Sequence, residues 1–309
     1  MTQLFLGIDG GGTKTEVLCG TADGQIVGKG LSGPTNLTSI NIGAATFNLK
    51  EAVRQSLEQV TGEYELVAAA MGLAGMDTKD EYEMSYKPFS DILTTFNVQK
   101  FLLVHDSFIA LENGTTNPNA VVLIAGTGSI CVGRNDKGET AKTGGMDYLL
   151  TDQGSGYDIG RHVLREAVKS FDGRRNKTVL EKLVCEHFGI ADLETLKMEV
   201  YHPPLTKFEV AELSIVCSQA YEMGDYAARQ IFEWAQTEMI RLIEPVIRKL
   251  ELELVSTDLV LTGSIVQLPN VRTQLVQKLR GQFPMLNVVE TLKPVVNGAL
   301  QLAIKQKDT

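Results

Sequence analysis

The chain has 309 residues, 43% of them hydrophobic and 22% charged, which is ordinary for a globular protein long enough to form two domains. Its formal net charge of -9 argues against nucleic acid and anionic membranes as partners. No apolar run approaches the ~18 residues of a membrane span, and the first residues lack the pattern of a signal peptide. We therefore expect a soluble, cytoplasmic protein.

The cysteine pattern argues against disulfides and zinc. The cysteines are scattered and lack C-x-x-C spacing, and the histidines form no ligand cluster either. This pattern is typical of buried thiols in a reducing cytosol. The four positions are Cys19, Cys131, Cys185 and Cys217.

The first strong feature is a glycine-rich hairpin. An apolar run over residues 4–8 predicts a buried strand that ends in Asp9, and residues 13–19 predict its hairpin partner. Three consecutive glycines let backbone N–H groups approach a bulky anion, and Asp9 could hold a hydrated divalent ion beside it. A phosphate-binding turn is predicted, with a glycine-rich turn without ligand as the alternative. The glycines are Gly10, Gly11 and Gly12.

Two better-known glycine motifs do not fit this stretch. A P-loop requires G-x-x-x-x-G-K-[ST], but Thr13 stands after Gly12 where the lysine is needed. A dinucleotide fingerprint needs a third glycine at the start of a helix, whereas Thr15 takes that position and a strand-like segment follows.

The next segments alternate between strands and helices. A third strand is predicted over residues 25–31, a helix over 42–60, a buried parallel strand over 66–71 and a polar helix over 79–94. Asn36 lies in the loop before the first helix, and its amide can donate to and accept from a sugar hydroxyl. A helix N-cap or a turn residue is the alternative interpretation of Asn36.

A second acid ends the strand predicted over residues 101–106. Ligands of open α/β sheets bind at the carboxyl ends of strands, and Asp106 and Asp9 both stand at such ends. The pair favours a catalytic role for Asp106. The alternative is an N-cap for a helix over residues 107–112.

Residues 113–119 are dense in turn formers and predict a domain boundary. Beyond them the plan starts again, with a strand over residues 120–125, a second glycine–hydroxyl turn and a return strand over 130–134. This similarity suggests a duplicated unit in which two hairpins grip a polyphosphate from both sides. The second turn consists of Gly126, Thr127, Gly128 and Ser129.

The remainder is mostly helical. Asp152 precedes a helix predicted over residues 157–171 and is either a ligand carboxylate or its cap. Residues 176–252 are predicted to be mostly helical, with breaks at 202–204 and 224–225 and a kink at Pro245. A last strong strand ends at Gly263 and Ser264, where a flat adenine ring could lie against bare backbone, and a helix over residues 294–304 closes the chain.

These motifs resemble those of the sugar kinases with the actin-like ATPase fold. The nearest likeness is to the N-acetylglucosamine kinase group of the BadF/BadG/BcrA/BcrD-type ATPase family, and it covers nearly the whole chain. Residues 9–15 and 124–129 look like the two phosphate motifs, and residues 260–265 look like the adenosine motif. Residues 71–75 and 294–299 resemble the two connecting segments at the hinge, and residues 220–231 resemble the helix near the nucleotide.

The resemblance implies an α/β fold of two actin-like ATPase (ribonuclease H-like) domains, each a mixed five-stranded sheet with helices, flanking a central cleft. Residues 1–115 plus 294–309 would form the sugar-side domain. Residues 119–293 would form the nucleotide-side domain, with a helical insertion. A homodimer is also implied.

The implied activity is transfer of the ATP γ-phosphate to a hydroxyl, O6 by family likeness, of N-acetylglucosamine, with N-acetylmuramic acid also accepted. Asp106 matches the catalytic base, and Asp9 would lie near Mg²⁺. The sugar ligands would be Asn36, Thr127, Gly128, Gly145 and Asp152. The ATP ligands would be Gly10, Gly11, Gly12, Thr13, Lys14, Gly126, Thr127, Gly128, Ser129, Ala220, Gly224, Gly263 and Ser264.

Two departures from the family pattern leave the sugar open. Met146-Asp147 replaces a common Trp-Gly pair, and Gln153 replaces a usual glutamate. Glucosamine and plain hexoses therefore remain alternative acceptors. An ATPase activator with an iron–sulfur cluster, or a nucleotide-binding regulator without catalysis, are the alternatives outside kinase chemistry. The scattered cysteines argue against the activator, and the Asp9–Asp106 pair argues against the regulator.

Overall fold

The computed structural model describes residues 1–291 and 293–308, and the chain divides into two compact units. Unit 1 comprises Met1–Thr116 and the described residues from Glu290 onward, and unit 2 comprises Asn117–Val289. The strands are β1 (Thr2–Gly10), β2 (Thr15–Thr21), β3 (Ile26–Ser32), β4 (Tyr64–Leu73), β5 (Lys100–His105), β6 (Ala120–Ala125), β7 (Ser129–Arg134), β8 (Thr140–Gly144), β9 (Thr257–Thr262) and β10 (Leu286–Val289). The helices are α1 (Ile42–Leu57), α2 (Lys79–Thr94), α3 (Asp106–Gly114), α4 (Gly156–Phe171), α5 (Leu180–Phe188), α6 (Leu196–Tyr201), α7 (Lys207–Glu222), α8 (Tyr226–Lys249), α9 (Pro269–Gln282) and α10 (Val296–Lys305).

The sheet of unit 1 has the order β3-β2-β1-β4-β5. The first three strands form antiparallel hairpins, whereas β4 and β5 run parallel to β1. In this register Gly10 lies opposite Leu73, and Leu73 lies opposite His105. The carboxyl ends of β1, β4 and β5 therefore meet at one edge of the sheet, as expected for a ligand-binding edge.

Helices cover both faces of this sheet, because successive residues of a strand point to opposite faces. On one face Leu4, Leu6 and Ile8 belong to a core completed by α1 and α2. On the other face Phe5 packs with Leu300 of α10. This helix approaches so closely that a Cβ on Gly7 would lie 2.2 Å from the Leu300 nitrogen.

The sheet of unit 2 repeats this topology. Its order is β10-β9-β6-β7-β8, with β6, β7 and β8 antiparallel and β9 and β10 parallel to β6. Strands β6 to β10 thus take the places that β1 to β5 have in unit 1. The predicted fold class, with a mixed five-stranded sheet and helices in each domain, is confirmed for the sheets and helices.

The helical part of unit 2 follows the predicted breaks. The chain leaves the helical conformation at residues 202–204 and at the Gly224–Asp225 turn. Helix α8 runs through Pro245 as one continuous element. Helix α9 and strand β10 were not predicted. Among the described residues, none of the helices combines the length and the apolar character needed to cross a bilayer.

Candidate active site

The first glycine turn joins β1 to β2 and leaves backbone donors available. The Gly11 N–H donates to the Lys14 carbonyl at 3.0 Å, and the Gly11 carbonyl accepts from Asn36 N–H at 3.2 Å. Within the described chain, the N–H groups of Gly12 and Thr13 have no backbone acceptor. Two adjacent free donors without an obstructing Cβ at Gly12 can bind an anion.

Asp9 lies beside this turn with an unusually high pKa. Burial, followed by the charges of Asp106 and Glu16, raises the pKa of Asp9 to about 6, and Lys14 only partly opposes them. Lys14 itself pairs with Glu16 at 3.1 Å. A half-buried carboxylate near further carboxylates is a site that a cation would stabilise.

Asp106 is the first residue of α3 and not its cap. The N-cap position is held by His105, whose Nδ1 lies 3.2 Å from the Ser107 nitrogen and 2.7 Å from the Ser107 hydroxyl oxygen. The N-cap alternative for Asp106 is therefore wrong. Because His105 makes the cap, the Asp106 carboxylate is not used for it and is 35% exposed.

Asn36 adopts the turn role and not the helix cap. Its Oδ1 accepts from both the N–H and the hydroxyl of Thr38 at 2.8 Å, and the cap of α1 is Asn41. The Asn36 backbone is bonded to Gly11, so the amide lies next to the first glycine turn. A sugar contact by this amide stays a prediction.

The second glycine turn repeats the features of the first. Its carbonyls at Gly126 and Thr127 accept from the first two N–H groups of α4, at 2.7 and 3.2 Å. These bonds satisfy donors that a helix start otherwise leaves open. In the described residues, no backbone acceptor is found for the N–H groups of Thr127 and Gly128. Unit 2 therefore also offers two adjacent donors.

Asp152 forms a hydrogen bond with the backbone of this turn. Its Oδ1 accepts from Ser129 N–H at 3.3 Å, and its Oδ2 lies 2.7 Å from Lys207 Nζ. The side chain is 4% exposed. The cap of α4 is Ser155, so the cap alternative for Asp152 is wrong. A sugar contact by Asp152 stays a prediction.

Lys207 is a site residue that the sequence analysis missed. Its ammonium also pairs with Asp147 Oδ1 at 2.6 Å. Burial lowers its pKa, but the bonds to Asp147 and Asp152 outweigh burial and raise it. The signal for Lys207 is weak, because it lies 55 residues from Asp152 in sequence and meets it only in the fold.

A cavity of ≈380 Å³ lies between this turn and α7. Gly126, Thr127 and Ser264, all predicted ATP ligands, contribute to its wall. The positive φ of Gly263, +103°, together with an Ala125 carbonyl that would lie 2.4 Å from a Cβ, explains why the turn requires glycine there. The full lining is Gly126, Thr127, Gly156, Phe208, Ala211, Glu212, Ser214, Ile215, Ser218, Ser264, Ile265 and Leu268.

The α7 part of this wall was also missed. Phe208 and Ile215 are 65% and 61% exposed, although α7 buries other apolar residues in the core. Apolar side chains on both sides of a helix are the signal that could have identified a second, ligand-facing surface.

Three predicted ligands lie elsewhere. Ala220 is fully buried in α7, Gly224 is exposed in the turn before α8, and Gly145 follows β8 with a positive φ of 77°. None of the three is among the described residues that line the cavity. Their assigned roles stay predictions.

Metal ligation by cysteine finds no support in the described part of the chain. Cys19, Cys131 and Cys217 are buried and Cys185 is half-buried. Burial raises the pKa of each of these thiols. Among the described residues, no group of three or more cysteine, histidine or acidic side chains is arranged to hold a metal ion.

Residues 6–300 match the BadF/BadG/BcrA/BcrD ATPase family. The chain belongs to this family. The resemblance seen in the sequence is thus confirmed, and ATP use follows from the family.

Two curated relatives match along their full lengths. The chain is 30% identical over 309 residues to an N-acetylmuramic acid/N-acetylglucosamine kinase from Clostridium acetobutylicum, covering 99% of this chain and 100% of that protein. It is 29% identical over 317 residues to an N-acetyl-D-glucosamine kinase from Dictyostelium discoideum, covering 99% of each.

Solved structures of candidate and established sugar kinases have the same fold. A candidate N-acetylglucosamine kinase from Chromobacterium violaceum superposes with a TM-score of 0.76 at 19% identity, covering 98% of this chain and 99% of that one. A ROK family glucokinase from Streptomyces griseus, solved with glucose and AMPPNP, gives 0.56 at 14% identity, covering 98% and 99%. At these identities the likeness establishes the actin-like ATPase fold and not the substrate.

Proposed function

We propose that the protein is an ATP-dependent amino-sugar kinase that transfers the γ-phosphate to O6 of N-acetylglucosamine and also of N-acetylmuramic acid. Support comes from the family and from two relatives that carry these sugars in their names. A fold shared with many activities does not decide a function, so the proposal depends on the site.

The observation that carries the proposal is the carboxylate pair at the sheet edge of unit 1. Asp9 lies near the end of β1 and Asp106 directly follows β5, and both strands run parallel to β4 with their carboxyl ends at one sheet edge. The charge of Asp106 contributes to the raised pKa of Asp9. Phosphoryl transfer needs charge neutralisation at one group and a proton acceptor at another. We assign these roles to Asp9 and Asp106 respectively.

The residues around Asp9 fit a magnesium ion. Mg²⁺ prefers oxygen ligands and keeps several waters. Among the described residues, none forms a hydrogen bond with the Asp9 carboxylate that would compete with a bound ion. The bound ion would neutralise phosphate charge. Asp9 would hold it, with Asp106 left to accept the proton of the sugar hydroxyl.

The two glycine turns supply phosphate donors in this proposal. The free N–H groups of Gly12 and Thr13 in unit 1, and of Thr127 and Gly128 in unit 2, are the candidates. The cavity beside α7 would take the adenosine, with Phe208 and Ile215 against the base. Sugar contacts by Asn36, Gly145 and Asp152, a homodimeric state and a cytoplasmic location belong to the same proposal.

The test is a coupled ADP-release assay across N-acetylglucosamine, N-acetylmuramic acid, glucosamine and glucose, with and without Mg²⁺. We expect release with the N-acetylated sugars and little without sugar, with ³¹P and ¹³C NMR of the product showing a 6-phosphate. The Asp106→Asn variant should still bind ATP and sugar and lose most turnover, because general-base catalysis contributes roughly 10²–10⁴ in rate.

Three results would change the assignment. Equal kcat/KM for glucose and N-acetylglucosamine would indicate a broad hexose kinase. Preference for glucosamine would indicate a glucosamine kinase. ADP release at the same rate with and without every sugar would favour an ATPase or a regulator.

A further inference from the structure

His105 contacts two carboxylates, and the proposed function leaves it without a role. Its Nε2 lies 3.2 Å from Asp77 Oδ1, and its Nδ1 lies 2.9 Å from Asp106 Oδ1. The His105 side chain is only 12% exposed, so water competes little for either contact. The three side chains form a carboxylate–imidazole–carboxylate series that ends at the proposed base.

Regular structure holds this series in place. His105 ends β5 and caps α3. Asp77 follows β4, which pairs with β5, and its N–H donates to Glu81 Oε2 at 2.8 Å, in the capping box of α2. The Asp106 end of the series is the first residue of α3, and the Asp77 end lies in the connecting segment directly before the N-cap of α2.

We propose that His105, oriented by Asp77, is a positioning residue that holds the Asp106 carboxylate in place for proton abstraction. This role rests on the proposed kinase function. In this role Nδ1 carries a proton and donates to Asp106 Oδ1, so it does not accept from the nearby Ser107 N–H. Asp106 has two oxygens, and this bond leaves the second one to accept the hydroxyl proton of a sugar.

The charge of His105 serves the same role. Burial alone would lower its pKa, but the bonds and charges of Asp106 and Asp77 outweigh burial and raise the pKa to about 9. A charged Nδ1–H donor forms a stronger hydrogen bond to the Asp106 carboxylate than a neutral imidazole would. Charged groups on the elements around His105 include Asp77, Asp106, Asp9, Glu81 and, farther along α3, Glu112 paired with Lys305 of α10. Helix α2 also carries Lys79, Asp80 and Glu83, and β5 begins at Lys100.

The first test measures the kinetics of the His105→Asn variant. Asparagine can still cap α3 and donate one neutral hydrogen bond, but it has no charge and cannot also reach Asp77. We expect kcat to fall roughly 10- to 100-fold in the Asn variant, which is the range for losing a charged hydrogen bond. The KM values for ATP and for the sugar should stay within about twofold of those of the parent. The control is His187→Asn, near the end of α5, which should match the parent.

The second test uses Asp77→Asn and a pH profile. The amide oxygen can still accept from Nε2–H, but the charge that stabilises the imidazolium is lost, so the pKa of His105 falls. We expect nearly normal kcat at pH 6 and a decline that starts at lower pH than in the parent. A merely structural defect would lower kcat equally at every pH.

Side-chain ¹⁵N NMR provides a readout independent of activity. Both His105 nitrogens should carry protons at pH 7 in the parent, and the Asp77→Asn variant should lose one of them as the pH rises. A neutral His105 in the parent, or normal kcat in His105→Asn while Asp106→Asn is inactive, would overturn the positioning role alone. Full activity of Asp106→Asn would instead overturn the proposed base, and with it the positioning role.

Discussion

Burial and neighbouring carboxylates raise the pKa of Asp9 from 3.8 to about 6, so at neutral pH the folded protein holds an ionised carboxylate in an unfavourable place. Such a shift corresponds to about 3 kcal/mol. Between these two pKa values the folded state binds more protons than the unfolded chain, and stability falls as the pH rises. The penalty is complete above the folded-state pKa.

Asp9→Asn should therefore stabilise the protein while removing most of its activity. We expect the free energy of unfolding at pH 7.5 to rise by about 2–3 kcal/mol, with the gain fading towards pH 4, where Asp9 is protonated in the parent as well. Urea denaturation at several pH values measures it. The exposed Asp136→Asn should show no such trend. A destabilised Asp9→Asn variant at neutral pH would contradict the raised pKa.

Met146 is 56% exposed in the loop after β8, at the position where the family resemblance predicts tryptophan. A flexible methionine adapts to a bulky substituent better than a rigid indole. Met146→Trp should lower kcat/KM for N-acetylmuramic acid at least about fivefold more than for N-acetylglucosamine, because the larger indole would leave less room for the lactyl ether in the proposed acceptor site. Equal effects on both sugars in the coupled assay would remove Met146 from the acceptor site.

Single residues also show where sequence reasoning was limited. The acids Asp106 and Asp152 were recognised as chemical groups, but their cap alternatives were wrong because His105 and Ser155 take those positions. Histidine is not among the preferred N-caps, so no local pattern indicated it. The contact between Asp152 and Lys207 depends on the fold and could not be found from spacing.

Helix α7 has two apolar surfaces, one in the core and one at the cavity. Phe208→Ala should raise the KM for ATP roughly 10- to 150-fold with little change in the KM for sugar, because an aromatic ring covered by the bound base contributes about 1.5–3 kcal/mol. Initial rates at varied ATP measure this. Phe47→Ala is the matched control, since Phe47 is similarly exposed, 67% against 65%, and lies on α1. An unchanged KM for ATP would exclude this surface as the base-binding wall.

Element boundaries followed the local signals where these were strong. The all-apolar strand β6 and helix α2, with its capping box at Thr78 and Glu81, have the predicted bounds. Helix α9 has few buried residues and β10 has only four residues, so neither carries a clear periodic signal. The cavity wall of α7 was missed because local sequence does not show which exposed face meets a turn.

The same sheet topology occurs in both units. In each unit a glycine–hydroxyl turn joins the first two strands. The sequence repeat at these turns was visible because glycine is needed wherever backbone N–H groups must stay accessible. The completion of unit 1 by a segment 180 residues after Asn113 was visible only through the family resemblance.

Substitution of Leu300 tests whether α10 is part of the core of unit 1. It is 3% exposed and packs with Phe5 on the sheet of unit 1. Leu300→Ala should lower the free energy of unfolding by about 2–5 kcal/mol, the usual range for a buried leucine. Leu254→Ala, at a position 88% exposed, should change it by less than about 0.5 kcal/mol. Chemical denaturation measures both, and similar values for the two variants would show that α10 is not part of the core.

The long-range construction of unit 1 has a consequence for biosynthesis. A ribosome produces the five strands of this unit first, then all of Asn117–Val289, and only afterwards the helix that covers Phe5 and its neighbours. Unit 2 is therefore available to fold while the nascent chain still exposes one apolar face of the earlier sheet, a surface that chaperones and proteases recognise. Chains released early, before α10 is made, would be degraded selectively. Translation itself would then ensure that Asp9 and Asp106 persist only in proteins that carry both units.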